Sequence, residues 1–400
     1  MNIVNRIIRK ISDGLSWRKS VYTRNTIFFL TSLILKKKNT NPESLSGILV
    51  IKNDRIGDFL VFLPSFRLYR RIFPGKKITL LANMICQELI AGLSDENLFD
   101  EIIFLDEKKY IGNFYYNLKF LQKLRSRSYE QVICPIFSRS AESEYLVAMA
   151  ISERKIGFDG DCTRLDKNTL ATANRHYSKL VTVPHGINLE IERNVIFAQG
   201  LGYIIAVPTP LTIRPKIENQ RAADILLNRE KVGTKYAVLF PGAYQAYRSW
   251  PLERYAEIAK YLSARNIKPV ICGSEQEIIL AQKILSQASG CVVLSGKTDI
   301  WTLAAILQKA MLYIGSETGI LQLAIAVQTP VVCILGGGHF GRYFPYGDPA
   351  TNRAVFDHNM RCFNDNWECV KDKSKPAPCI DSISVKDVIT EIDTIINRID

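Results

Sequence analysis

Short apolar runs alternate with helical segments along this chain, and the alternation occurs twice. In the first half, strand-like runs at 48–52, 78–82, 101–105, 131–135 and 155–158 are separated by helical patterns over 59–73, 113–124 and 141–151. Continuous apolar runs fit strands buried on both faces, and helical connections force consecutive strands to pair in parallel. A helical stretch over 187–200 ends on Gly200-Leu201-Gly202, and the proline-rich residues 207–215 read as an extended linker. The second half repeats the pattern, with strands at 236–240, 268–272, 291–294, 312–314 and 331–335 and helices near 252–264, 275–286, 300–309 and 319–327. The expectation is an α/β protein of two doubly wound domains, 47–206 and 207–383. A basic extension, 1–46, precedes them, and a helix within 384–400 packs back on the body. With 400 residues, 47% of them hydrophobic, there is enough chain for two cores.

The formal charge of +13 is unevenly spread: residues 1–46 hold nine Lys and Arg against Asp13 and Glu43. Ile3, Val4, Ile7, Ile8, Ile11 and Leu15 recur there at helical spacing, opposite the cations. A basic amphipathic helix fits an anionic membrane surface. The apolar stretch 27–35 falls far short of the ~20 residues needed to span a bilayer. The competing reading is a helical pair covering the protein's own body with its cations solvated. Nucleic acid is not expected, because the arm lacks interleaved aromatics. Nine cysteines, odd in number and mostly inside apolar runs, imply a reducing, cytoplasmic setting without disulfides.

In an open parallel sheet, ligands bind at the carboxyl ends of the strands. Asp58 follows the first strand and is the candidate general base; the alternative is that it merely caps the helix beginning at Phe59. Three loops in the second half suit an anionic ligand. One runs from Phe240 through Gly242, Ala243 and Arg248 to Pro251, combining backbone N–H groups with a cation. Another, Gly315 to Gly319, opens a helix whose N-terminus can hold a diphosphate. The last, Leu335 to Arg342, is glycine-rich but matches no nucleotide fingerprint. Each has a plain alternative as a surface cation, a helix cap or a loop. Lys52, Arg55 and Arg139, at or near strand ends of the first half, are candidates to meet an acidic saccharide or glycolipid acceptor, with solvated surface cations as the alternative. Asp159-Gly160-Asp161 reads as a turn. Cys362, Cys369 and Cys379, with His358 upstream, lie outside apolar runs, but their spacing does not match the tight pairs of zinc ribbons; free thiols are expected, a structural metal being the alternative.

Taken in order, these motifs resemble glycosyltransferase family 9, the ADP-heptose:lipopolysaccharide heptosyltransferases. They are Ile48-Leu-Val-Ile-Lys52, Ile56-Gly-Asp58, Pro64, Phe73-Pro74, Arg154-Lys-Ile-Gly-Phe158, Phe240-Pro-Gly-Ala243 with Arg248 and Trp250-Pro251, Cys272-Gly-Ser-Glu275 and Ser316-Glu-Thr-Gly319 with Gln322. The resemblance covers about residues 47–396. It implies a GT-B architecture, a nucleotide-sugar donor bound mainly by the second domain, an acceptor bound by the first, and no cofactor. It places Asp58 as general base, Arg248 where a lysine usually faces the donor diphosphate, and Glu275 at the donor ribose. Glu317, Thr318 and Gly319 fall on a donor-binding turn that usually begins with Asp, and Gln322 on a position that is commonly His. Some members carry a cysteine-rich C-terminal segment, including an autotransporter-modifying branch that binds iron there. The activity implied is inverting, metal-independent transfer of a sugar, heptose first, to a surface glycan at the inner membrane face. A protein heptosyltransferase and a non-catalytic nucleotide-sugar binder are the alternatives.

Overall fold

A computed structural model describes residues 17–35, 45–204 and 211–399. The first sheet contains β1 (Ile48–Lys52), β2 (Ile78–Asn83), β3 (Glu101–Leu105), β4 (Gln131–Cys134), β5 (Lys155–Phe158) and β6 (Lys179–Val181). The second contains β7 (Tyr236–Phe240), β8 (Lys268–Ile271), β9 (Val292–Val293), β10 (Leu312–Ser316), β11 (Val331–Ile334) and β12 (Asn352–Val355). The strand orders are β3-β2-β1-β4-β5-β6 and β12-β11-β10-β7-β8-β9, and every pairing is parallel. Numbered within its own half, the second sheet has the same doubly wound order as the first, so each has a switch point, between β1 and β4 and between β7 and β10.

The central strands β1, β4, β7 and β10 are buried at every residue, which is why their apolar runs are legible. The edge strands β6 and β12 were not expected. They are short, each with a single buried residue, and lack an apolar run. Helix ends also shift: the 187–200 segment becomes helical only at Glu190, and a helix at Ile217–Arg229 follows the linker segment. Linker residues 207–210, and the domain boundary expected at 206/207, lie outside the described residues, while 211–215 run without helix or strand.

The two halves meet through apolar helices. Trp301, on the Ile300–Lys309 helix, lies against Gly92, where a Cβ would come within 2.1 Å of the indole, and its ring N–H donates to the Glu88 carbonyl at 3.0 Å. One continuous core runs from Phe59, Phe62 and Phe66 in the first half to Leu321, Leu323 and Ala324 in the second. The C-terminal helix Val385–Ile399 buries Val388, Ile392 and Ile395 against the second sheet, within its own half.

The arm corrects one expectation. Residues 1–16 and 36–44 lie outside the described residues, but Trp17–Ile34 forms a helix whose inner face buries Ile27, Phe28 and Thr31 on the first half. Phe28 stacks on Tyr145 with centroids 4.0 Å apart, the Tyr145 hydroxyl donates to the Phe28 carbonyl at 2.7 Å, and Arg24 pairs with Glu142 at 2.8 Å. This segment is part of the body. Its outer face leaves Tyr22, Phe29, Leu33 and Ile34 exposed. Among the described residues no helix is long and apolar enough to cross a membrane.

Candidate functional site

The helix after β1 begins at Ile56, with Arg55 at the N-cap position, so Asp58 sits in its first turn and does not cap it. The capping alternative is thereby removed. The Asp58 carboxylate instead accepts a hydrogen bond at 2.8 Å from the Tyr343 hydroxyl, which comes from the loop after β11 in the other half. Opposite lies the helix after β10, Gly319–Ala326. The two helix N-termini meet almost end to end: a Cβ on Gly57 would stand 3.0 Å from the Gly319 Cα. A Cβ on Gly319 would likewise stand 3.1 Å from the Gly57 N, so a side chain at either position would push the two helices apart by a few tenths of an ångström. The positive ends of two helix dipoles therefore face one cleft.

On the second half, Arg248 lies in a short turn after β7 and donates to the Glu317 carbonyl at 2.7 Å and to its carboxylate at 3.0 Å. Its guanidinium lies 5.7 Å from the centroid of the Trp367 ring. Burial pushes the Glu317 carboxyl up to about 7, against the opposing pull of Arg248 and Arg342. Its Oε1 atom has no hydrogen-bond partner, nor does Nδ1 of neighbouring His339. Burial, Arg248 and Arg342 together bring His339 down to about 3, so its ring is neutral. Unpartnered buried polar atoms beside a cation are the signature of a polar ligand site.

The remaining positions divide. Gln322 does not face the cleft as a free amide: it donates to the Tyr343 carbonyl at 2.9 Å and accepts from the Tyr346 hydroxyl at 2.5 Å. It thus anchors the loop that brings Tyr343 to Asp58. Thr318 is the N-cap residue of its helix but makes no side-chain cap. Gly242 accommodates Glu277, whose Oε1 would lie 1.6 Å from a Cβ there; Ala243 adjoins it, and Glu275 is exposed on the turn after β8. The glycines of the 335–342 loop serve packing, since a Cβ on Gly336 or Gly338 would strike the Trp367 ring at 2.4 or 2.3 Å.

Of the three acceptor-side cations, only Arg55 is exposed, stacked 4.1 Å from the Tyr244 ring centre across the cleft. Lys52 is buried and bonded to Asp54; burial opposes its charge, but Asp54 and then Asp58 outweigh it and raise its pKa. Arg139 is fully buried, forked onto Glu144 at 2.8 and 2.7 Å and bonded to Asn174 at 2.6 Å. Strand-end position is shared by all three, but depth differs, and depth is a tertiary property. Asp161 is held in its turn by Ser138 and Thr163.

Sequence reasoning missed Tyr343 and Arg164, and reached Arg342 only as the end of the glycine-rich loop. Arg342 is buried and reaches across to Glu190 at 3.2 Å and Asp161 at 3.8 Å, pinning the glycine-rich loop to the first half. Arg164, exposed on the loop after β5, faces Asp54 and Asp58, which favour its charge more than burial opposes it. An isolated Arg or Tyr in a loop carries no local signal for such a role.

Two like-wound parallel sheets facing one cleft form the GT-B architecture, the fold this chain shares with solved family 9 glycosyltransferase and heptosyltransferase structures. The sequence pattern of glycosyltransferase family 9 (heptosyltransferase) matches residues 117–371, more than half of the chain, and the protein belongs to that family. It is a glycosyltransferase. Lipopolysaccharide heptosyltransferase 3 of Escherichia coli is 23% identical over 294 residues, covering 70% of this chain and 80% of that one. The glycosyl transferase family 9 structure from Veillonella parvula DSM 2008 superposes with a TM-score of 0.71 at 18% identity, covering 90% of this chain and all of that one. Escherichia coli heptosyltransferase WaaC with ADP-2-deoxy-2-fluoro heptose gives 0.59 at 19% identity, covering 86% of this chain and 98% of that one.

Proposed function

We propose that the protein is an inverting heptosyltransferase that moves heptose from ADP-heptose to a lipopolysaccharide or other surface-glycan acceptor, working at the cytoplasmic face of the inner membrane. The observation that carries the reading is that Asp58, in the first turn of one helix, and Arg248, bonded to Glu317 at the mouth of the facing helix, both act on the Glu317 carboxyl from opposite halves of the molecule. Displacing a nucleoside diphosphate from a sugar needs a base on the acceptor hydroxyl and positive charge on the leaving group. Asp58 takes the acceptor proton as the oxygen attacks the anomeric carbon. Arg248 and the amides at the start of the Gly319–Ala326 helix receive the departing diphosphate, so no divalent ion is needed there. In-line attack with a single displacement inverts the anomeric centre. The names of similar proteins support heptose as the sugar and ADP as its carrier.

The test is transfer from ADP-heptose to a truncated lipopolysaccharide acceptor, with the product's anomeric configuration read by NMR. Inversion with release of ADP is expected; binding of ADP-heptose without transfer to any acceptor or hydrolysis would leave a binder.

Membrane association belongs to the same reading. The outward face of the Trp17–Ile34 helix offers Phe29, Leu33 and Ile34 beside a strongly basic stretch of sequence. Each Lys or Arg near an anionic leaflet adds about 1 kcal/mol, screened by salt. Because the inner face is core, the probe is Phe29→Asp with Leu33→Asp, not truncation. Loss of salt-sensitive sedimentation with anionic vesicles is expected, and undiminished sedimentation would defeat the assignment.

A further inference from the structure

The short turn Gly337–His339 after β11 and the irregular segment 362–367 are built against one another. The Asn364 and Asn366 N–H groups donate to the carbonyls of Gly337 and Gly338 at 2.8 and 2.9 Å. Asn364, Asn366 and Trp367 all take left-handed backbone conformations, with φ of 56°, 53° and 64°. Asparagine tolerates that region, but a tryptophan there is strained, and such strain persists where the surroundings over-determine it, as they do at ligand sites. The Trp367 indole lies against Gly336 and Gly338, with its ring centre 5.9 Å from that of His339.

Three buried polar atoms in this group have no hydrogen-bond partner: Oε1 of Glu317, Nδ1 of His339 and Nε1 of Trp367. Glu317 and Trp367 expose only 6% and 5% of their surface. The other ring nitrogen fixes the His339 tautomer. Nε2 meets the Asn366 side-chain oxygen at 3.2 Å, so Nε2 carries the proton and Nδ1 is a bare acceptor. Burial, Arg248 and Arg342 keep the ring neutral, so that acceptor persists at physiological pH. Nδ1 stands 3.9 Å from Glu317 Oε2, too far for a hydrogen bond, and that oxygen is held by Arg248. Gln322 is committed to the Tyr343 carbonyl and the Tyr346 hydroxyl. An ionised phosphate only accepts hydrogen bonds and leaves Nδ1 unsatisfied, whereas a hydroxyl donates one.

Position narrows the choice of hydroxyl. His339 neighbours both ends of the transfer: Nδ1 faces the carboxylate that holds Arg248, and its ring centre lies 5.9 Å from that of Tyr343, which donates to Asp58. The anomeric carbon must lie between the leaving group and the base, so a group adjoining both meets the transferred sugar and not the nucleoside. We propose that His339 is a specificity-determining residue whose Nδ1 accepts a hydrogen bond from a hydroxyl of the transferred sugar. Glu317 Oε1 and the Trp367 N–H, one an acceptor and the other a donor, are available to further hydroxyls. Asn366 is a positioning residue that holds the imidazole in its accepting tautomer. The inference rests on the donor reading above, since it takes Arg248 and Asp58 as the two ends of the transfer.

The experiment measures, by calorimetry on the whole chain, the ratio of ADP-heptose affinity to ADP affinity. His339→Ala should lower that ratio about tenfold, with ADP affinity itself within about twofold of wild type. His339→Asn, whose amide oxygen falls near the place of Nδ1, should recover much of the loss. Among monodeoxy heptose analogues of the donor, one should lose a similar factor in the wild type and lose nothing further in His339→Ala, as a direct contact requires. An unaltered ratio in His339→Ala would overturn the proposal, and so would equal losses for ADP and ADP-heptose or additive losses for every deoxy analogue. A wild-type chain that binds a different nucleotide sugar and not ADP-heptose would defeat the heptose reading alone, and the same ratio measured with that sugar then decides the role of His339. Transfer of heptose with a ratio indifferent to His339 would defeat this inference alone.

Discussion

The two halves share one winding order, yet their switch points treat a carboxylate in opposite ways. After β1, Asp58 is half-buried and bonded by a tyrosine hydroxyl, with Lys52 and Arg164 facing it but not bonded to it. After β10, Glu317 is buried, raised to about 7 and tied to Arg248. Identical topology places an acid at each helix mouth; the surroundings leave one bonded by a single hydroxyl, as the base proposed above requires, and tie the other to a cation. The extra methylene of Glu317 over Asp gives the reach to Arg248, so the departure from the usual family residue has a local use.

Four experiments can break or sharpen that contrast. The largest effect is expected at Asp58: Asp58→Asn should lower turnover by roughly 10² or more while donor affinity stays within a few-fold. Near-normal turnover would remove the asymmetry between the two acids. Next, Arg248→Ala should weaken ADP binding by about 1.5–3 kcal/mol in calorimetry, with partial recovery in Arg248→Lys. Unchanged ADP affinity would move the diphosphate site elsewhere.

The third concerns pH. Glu317 is an acid whose folded pKa lies above its ordinary value, so its neutral form is favoured by folding. Its contribution to stability is complete below about pH 4.5 and is lost as pH rises to about 7. Over the upper part of that range the newly charged carboxylate competes with diphosphate for Arg248, while Arg342 supports the ionised form, Asp58 opposes it and neutral His339 contributes no charge. ADP affinity should therefore fall by up to about tenfold as pH rises through 7, and Glu317→Gln should flatten the profile. A wild-type profile that Glu317→Gln leaves unaltered would assign the dependence to another group.

The smallest effect is expected at the bridge between the halves. Tyr343→Phe removes one hydrogen bond to Asp58 and should reduce kcat by about 2–10-fold, the equivalent of 0.5–1.5 kcal/mol. Losing a donor makes the carboxylate more basic, so a reduced kcat would show that the bond positions the base; an unaltered kcat would show that the bond breaks before chemistry.

Chain-local patterns carried the architecture far. Continuous burial makes β1, β7 and β10 readable, and the loops following them held Asp58, Arg248 and Glu317 as expected positions. Patterns failed where burial is partial or where partners are distant. The edge strands β6 and β12 lack an apolar run. Arg139 reads like Arg55 in sequence, yet one is buried on Glu144 and the other is exposed on Tyr244. The Trp17–Ile34 helix reads as a detachable arm because its cations are visible in sequence and the Tyr145 surface that receives Phe28 is not.

Sequence by itself determined the parallel α/β class, the twofold repetition and the residues at the strand ends, because hydrophobic period and turn chemistry are short-range properties. Only the tertiary structure decided how deep each charge lies, which acid has a cation for a partner, and that Tyr343 reaches Asp58 from 285 residues away. Those outcomes depend on desolvation and on contacts between segments remote in the chain, and no local window of sequence contains them.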